Sequence, residues 1–528
     1  MKITYKKSIR TLMFAAAVGS FLAVSSCVND LDQTPITSTT TENIYTNFAN
    51  YPSALAKVYG GLAHGGQEGG GGNSDINGID GNFAQYTRIL YTLQEIPTDE
   101  AKIAWNDGTL QTMNKMTWDA SSEFISGAYY RLYTEIAFCN DFIKNTSDEQ
   151  LAANGISGAD LTEAKYMHAE ARFIRALSYY YAMDLFGNVP FVLEDRVTGD
   201  PTPPQRIERS ALFDFVESEL LACANDLKDA RSNDYGRVDK AAAWFLLSKL
   251  YLNASVYNGT NRNADVITYT EKIINAGYSL KSNYQDLFLA DNDQDNNETI
   301  FAIPFDGIRT KSHGGTSYLI HATIGGKMVA SNFGVNGGWG GIRVTSAYVG
   351  LFNDSNDKRG NFFKTDQTLE MADLGNFSNG YAYIKFKNID RNGNAGSDLS
   401  GNYPDTDLPL FRLADVYLMY AEANLRGGGG SASTALNYVN AVRQRAEAAP
   451  VQSINLDFIL SERGRELGWE MTRRTDLVRY GKFTSASYLW AWKGGVQTGV
   501  GVSESRNLYP IPAKDIIANP NLIQNQGY

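Results

Sequence analysis

The chain has 528 residues, 43% hydrophobic and 20% charged, with 47 basic and 58 acidic side chains and a net charge of −11. That is ordinary globular composition, enough for about three domains or one large helical array, and it excludes a disordered chain. The acidic balance opposes nucleic acid as a partner; three cysteines (Cys27, Cys139, Cys223) make no disulfide framework, and four histidines (His64, His168, His313, His321) show no zinc spacing.

The chain opens with Lys2, Lys6, Lys7 and Arg10, then the apolar run Leu12–Val18 and, after Gly19-Ser20, Phe21–Val24. Residues 1–26 thus read as a secretory signal, too short to span a membrane. Its end, Val24-Ser25-Ser26-Cys27, resembles a bacterial lipobox. Cys27 is the expected acylated N-terminus, with an incidental cysteine after ordinary cleavage as the alternative. More than one acyl chain anchors stably to a bilayer. Residues 27–42, with Asp30 to Pro35 and a Ser/Thr run to Thr41, read as the lipidated tether, and residues 43–528 as a single domain.

Residues 60–110 are rich in Gly, Asn and Asp and include Gly65-Gly66 and Gly69–Gly72, a loop region. Helical periodicity takes over at Leu161. Ala164, Met167, Ala171, Ile174, Leu177 and Tyr181 predict one buried stripe up to Phe186, stopped by Gly187-Asn188-Val189-Pro190. Helices are expected again over 207–227, 238–257 and 265–276. Within the second of these, Trp244 to Tyr251 matches the opening of a tetratricopeptide repeat, with Ser248 in the glycine place.

Residues 290–410 alternate acidic loops, glycine pairs and aromatics. Asp291 to Glu298 sets oxygen ligands at alternate positions, as a calcium loop does. A structural calcium would sit on Asp291, Asp293 and Asp295, with Asp405 or Asp407. The missing sixth-position Gly and twelfth-position Glu favour a solvated loop, and no cofactor is required.

The helical-hairpin pattern returns with Leu413–Leu425, a turn at Gly427–Gly430, and Thr434–Ala448. Residues 454–480 predict one long charged helix, whose Arg463, Arg465, Glu466, Glu470, Arg473, Arg474 and Asp476 are expected to pair across its surface. The fold class is mainly α: a tetratricopeptide-like helical-hairpin scaffold, mainly over 161–277 and 411–482. Loops 60–110 and 290–410 form an irregular ligand-binding face on it. Cys139 and Cys223 fall in helical patterns as buried thiols.

There is no Gly-x-Ser-x-Gly elbow and no His-Glu-x-x-His, and neither Gly-Lys pair (326–327, 481–482) is followed by the Ser or Thr of a phosphate loop. An enzyme is therefore not expected. Paired carboxylates leave a glycoside hydrolase as one rival, and the helical repeat leaves a peptide-binding adaptor as another.

Certain segments follow one another along the chain: Glu95–Glu100, Ala169–Leu177 with Asp184–Pro190, Leu408–Tyr417 with Ala421-Glu422-Ala423, Tyr509–Pro512 and Asn519–Tyr528. Together, from the lipobox to the last residue, they resemble the SusD/RagB family of surface lipoproteins of Bacteroidota. The resemblance implies a tetratricopeptide-like scaffold with an irregular ligand face, no catalysis, and capture of oligosaccharides. It also implies lipid anchoring at the cell-surface side of the outer membrane, as the cap of a SusC-like TonB-dependent transporter.

Within the family the match is to starch-binding members, where an arc of aromatic rings and polar groups holds the helical face of an α-1,4-glucan, that is, starch or malto-oligosaccharide. Carried through Pro97–Glu100, the arc falls on Asp80, Arg88 and Trp105; carried through Gly314–Leu319 and Asn336–Trp339, on Tyr318 and Trp339. Ile103 replaces a second tryptophan and Gly108 an asparagine, with Asn106 or Asp107 as stand-ins. The same role for a different glycan is the alternative. The residue types suit the task, because a sugar ring offers an apolar C–H face to aromatics and a hydroxyl rim to bidentate polar groups. Trp339 lies among Gly337, Gly338, Gly340 and Gly341, which supply little packing, so an open ring is expected rather than a core one.

Overall fold

A computed structural model describes residues 44–66, 74–197 and 199–528. The signal segment, Cys27, the tether and Gly69–Gly72 lie outside the described residues. Pro52–Tyr528 forms one compact unit. Of the unit before it, residues 44–51 are described, with a short 3-10 turn at Phe48–Asn50 started by the Asn47 side chain, which accepts the Ala49 N–H at 3.0 Å.

Helices supply the frame: α1 (Tyr86–Gln94), α2 (Glu123–Asn145), α3 (Gly158–Phe186), α4 (Arg209–Asp226), α5 (Lys240–Leu252), α6 (Asn263–Asn275), α7 (Gly315–Thr323), α8 (Leu413–Leu425), α9 (Ala432–Arg445), α10 (Leu456–Leu467) and α11 (Arg473–Arg479). Each of α1 to α5 packs on the next, most extensively α2 on α3, and α6 packs on α8, which in turn carries α9 and α10. The result is a run of helices packed side by side. The repeat signature sits in α5: Asp239 caps it by accepting the Ala241 N–H at 2.8 Å, and Ser248, fully buried, donates to the Trp244 carbonyl at 2.8 Å.

The predicted stripe on α3 is buried, but it is not the only buried face. Every side chain from Phe173 to Phe186 is buried, because α2 and α4 clasp the helix from two sides. Its charged side chains find partners there: Arg175 bonds Glu219 at 2.9 Å, and Asp184 takes Arg474 at 2.9 Å.

The long charged helix is corrected. It is broken into α10 and α11, with Trp469 (φ 67°) and Met471 (φ 59°) in left-handed conformations between them. Tertiary partners hold this strained corner. Trp469 donates its backbone N–H to Glu100 Oε2 and its indole N–H to the Glu100 carbonyl, both at 2.9 Å, while Thr472 N–H donates to Glu95 Oε1 at 2.8 Å. Its charges are also not a solvated surface. Arg463, Arg473, Arg474, Glu466 and Asp476 are all buried. Arg463 and Asp476 do pair within the stretch, at 2.7 Å, while other partners come from distant segments, as when Arg473 takes both Asp99 oxygens at 2.8 and 2.7 Å.

Among the described residues, four two-stranded antiparallel ribbons fasten the loops: β1 (Lys102–Ile103) to β5 (Ile342–Arg343), β2 (Val189–Pro190) to β3 (Arg206–Ile207), β4 (Thr299–Ile303) to β8 (Leu408–Arg412), and β6 (Phe362–Phe363) to β7 (Ala382–Tyr383). The β1–β5 ribbon matters most for the site, since it pins residues 102–103 against 342–343. Among the described residues, Cys139 and Cys223 are buried free thiols and no helix is long and apolar enough to cross a membrane.

Candidate functional site

The ends of one ribbon bring two of the expected rings together. Trp105 follows β1 and Trp339 precedes β5, with Ala104 N–H donating to the Gly341 carbonyl at 2.8 Å. The Trp105 indole N–H donates to the Trp339 carbonyl at 2.9 Å, and the rings lie 6.2 Å apart at 48°. Both are half-buried. The glycines around Trp339 serve close approach: a Cβ on Gly341 would sit 2.7 Å from the Trp105 ring, and one on Gly338 would sit 2.2 Å from the Ile324 carbonyl oxygen. Trp339 also packs, with its face parallel to His321 at 4.8 Å and 14°.

Arg88 enters from the first turn of α1 and occupies the centre. Its guanidinium lies 4.6 Å from the Tyr318 ring, 5.6 Å from Trp105 and 6.0 Å from Trp339. Such contacts are each worth about 0.5–2 kcal/mol, more as water is excluded. Nη1 donates to the carbonyls of Asn82 and His313, the latter at 3.1 Å. Among the described residues, Nε and Nη2 have no acceptor. Burial lowers the guanidinium pKa from its ordinary value, with Tyr318, Asp107 and Asp80 opposing that shift.

Tyr318 departs from expectation. On α7 it is only 1% exposed. It is wedged edge-on against Tyr91 at 5.6 Å and Trp105 at 6.0 Å, beneath Arg88. The arc placed on Trp105, Tyr318 and Trp339 thus has two half-open rings, with Arg88 carried on the third. Asp80 is exposed at the edge, its Oδ1 accepting the Asn82 N–H at 2.8 Å. Ile103 is buried in β1 and cannot replace a ring; Asn106 and Asp107 are exposed on the loop beyond Trp105.

His321 was missed by the sequence reading, although it stands three residues after Tyr318, on the same side of a helix. Its Nδ1 lies 2.7 Å from the Gly337 carbonyl and its Nε2 3.0 Å from that of Asn402, tying the Trp339 loop to the 398–405 loop.

Most carboxylates around the candidate calcium loop have protein partners. Arg391 takes Asp291 at 2.7 Å and Asp295 at 3.4 Å, Asp405 accepts from Gly307, Ser397 N–H and Ser397 Oγ at 2.6–2.7 Å, and Asp407 accepts the Phe305 N–H at 2.7 Å. No group of three or more His, Cys, Asp or Glu side chains converges as a metal site among the described residues. Asp293 is exposed. A hollow of about 700 Å³ beside Thr146, His168, Arg172 and Glu219 lies elsewhere, its arginines closed on Glu219 at 2.6 and 2.9 Å.

The chain is 32% identical to the starch-binding protein SusD of Bacteroides thetaiotaomicron over 579 aligned residues, covering 100% of each chain. The chain belongs to the SusD family. The SusD family profile itself matches residues 367–528. A SusD-like protein of Bacteroides ovatus is 28% identical over 390 residues, covering 69% of this chain and 67% of that one. Among solved SusD-type folds, surface glycan-binding protein A of Bacteroides thetaiotaomicron, in complex with laminarihexaose, superposes with a TM-score of 0.70 at 22% identity, covering 90% of this chain and 99% of that one. A SusD superfamily protein from Parabacteroides distasonis gives 0.68 at 22% identity, covering 93% and 100%. These neighbours agree with the mainly helical scaffold built above.

Proposed function

We propose that this SusD-family chain is a non-catalytic glycan-binding lipoprotein of the cell surface. It captures starch and malto-oligosaccharides and hands them to a partner TonB-dependent transporter in the outer membrane. The observation that carries the reading is Arg88, a cation walled by Tyr318, Trp105 and Trp339 with Nε and Nη2 N–H groups left for hydroxyls. Two half-open indoles set at 48° form a bent surface, which suits a helical glucan better than a straight one. The full-length match to a starch-binding relative supports the same ligand class.

Covering roughly 60–80 Å² of sugar face per ring contributes about 1.5–2 kcal/mol. Two rings and a few charge-assisted hydrogen bonds, less the association cost, give binding in about the millimolar to tens-of-micromolar range. Weak capture suits a protein that must release its ligand to a transporter.

Affinity electrophoresis and calorimetry with amylopectin, maltoheptaose, laminarin and cellohexaose test the ligand. Retardation by the α-glucans alone supports starch, whereas binding to laminarin alone moves the same role to another glucan. Release of shortened products on chromatography would make the protein a hydrolase. Anchoring is tested separately. Cys27→Ser should leave the detergent phase or remain as uncleaved precursor, and unchanged partitioning would contradict the lipid anchor.

A further inference from the structure

The aromatic face does not end at Trp339. His313, just before α7, sets its ring 5.6 Å from Trp339 at 76° and lies nearly parallel to Tyr403 at 6.1 Å and 22°. His313 and Tyr403 are both half-buried. Tyr403 comes from another loop, and that loop is held in place. Asp398 Oδ2 accepts the N–H groups of Asn402 and Tyr403 at 3.0 Å each. Asn336 Nδ2 donates to the Ser400 carbonyl at 2.8 Å and to Asn402 Oδ1 at 2.6 Å, and His321 adds its contact to the Asn402 carbonyl at 3.0 Å. The His313 carbonyl is meanwhile fixed by Arg88 at 3.1 Å. Rings delivered by such pinned backbone need little further ordering to meet a ligand.

Resting on the glucan reading of the Arg88 site, we infer that His313 and Tyr403 form an additional subsite, which takes the sugar residues of an α-glucan chain running past Trp339. A chain long enough to reach Tyr403 gains the apolar area of that ring; one that fills only the Trp105–Trp339 stretch does not. The subsite thus selects for chain length, whereas the Arg88 centre selects for the ligand class.

Calorimetry with maltotriose and maltoheptaose on wild type, Tyr403→Ala, Tyr403→Phe and His313→Ala tests this, with melting temperatures as the check on folding. Tyr403→Ala should weaken maltoheptaose about five- to tenfold, the contribution of part of a ring face, and leave maltotriose unchanged. His313→Ala should do the same to a smaller degree, and Tyr403→Phe should bind as wild type because it keeps the ring. Equal affinity of Tyr403→Ala and wild type for both sugars overturns the subsite while the Arg88 reading stands. So does an equal loss for both sugars, which would mean that Tyr403 only supports the loop. A wild type that binds neither sugar overturns both readings.

Discussion

Arg412 and Arg88 are both enclosed by side chains, yet the walls differ. Arg412, 1% exposed, is bonded to Glu298 at 3.0 Å, to Glu466 at 2.5 Å and to both oxygens of Glu470 at 2.6 and 2.7 Å. Around it Arg359 and Arg445 share the same carboxylates. Arg88 meets aromatic faces and two backbone carbonyls, with no carboxylate in hydrogen-bond contact among the described residues. An arginine closed by carboxylates has no donors to offer a ligand. One walled by rings keeps donors that a ligand's hydroxyl oxygens can take. The two regions separate what holds this fold from what the fold can hold.

The largest effect should come from breaking the closed region. Arg412→Met removes the one cation shared by three buried carboxylates, which Arg359, Arg445 and Lys385 then balance only in part, and this costs about 3–5 kcal/mol of stability. Urea unfolding should show that loss with glucan affinity, measured where the variant is folded, unchanged. A loss below about 1 kcal/mol would contradict the assignment of Arg412 as structural.

The second prediction concerns pH. Burial raises the Asp407 carboxyl to about 7 from an ordinary 3.8. The folded state therefore favours the protonated acid: this contribution is fully present below about pH 4 and is lost as pH rises through about 7. Asp407→Asn keeps an acceptor for the Phe305 N–H without the charge. Relative to wild type it should gain on the order of 3 kcal/mol between pH 5 and pH 8. Glu466 and Asp476 act oppositely, because the arginines beside them hold their carboxyls below the usual range against the cost of burial. Their contribution is present above about pH 4 and is lost on acidification. A flat difference between Asp407→Asn and wild type over pH 5–8 would contradict the burial assigned to Asp407.

The open region should respond in affinity and not in stability. Arg88→Lys keeps the charge but loses the planar fork between the rings, so maltoheptaose binding should fall about tenfold with little change in melting temperature. Asp80→Asn, at an exposed edge, should cost no more than about two- to threefold. A larger effect from Asp80 than from Arg88 would move the centre of the site towards the edge.

How far the sequence showed this contrast depends on the kind of signal. Periodicity marked the scaffold: Leu413–Leu425 was placed at both ends, and the repeat helix at Trp244 was found, since apolar spacing is local information. The order of short motifs led to Arg88 and to Trp105 and Trp339, two rings that the β1–β5 ribbon joins across 234 positions. The charges of 463–476 were misread because a run of Arg and Glu looks the same on a wet surface and in a buried network. Only partners such as Asp99 and Asp415, remote in sequence, decide between the two. The break at Trp469 and Met471 gave no sign either, for bulky residues in left-handed conformations are held by tertiary contacts rather than by their own preference. Tyr318 is placed beneath Arg88 and 1% exposed, which residue type alone does not reveal.

The most direct test of the central claim is calorimetry of maltoheptaose with Trp339→Ala beside wild type, at matched melting temperature. The account predicts a loss of about 1.5–2 kcal/mol, ten- to thirty-fold in affinity, from removing one ring of the Arg88 cluster. Wild-type affinity in Trp339→Ala would contradict it and place the glycan elsewhere on the molecule.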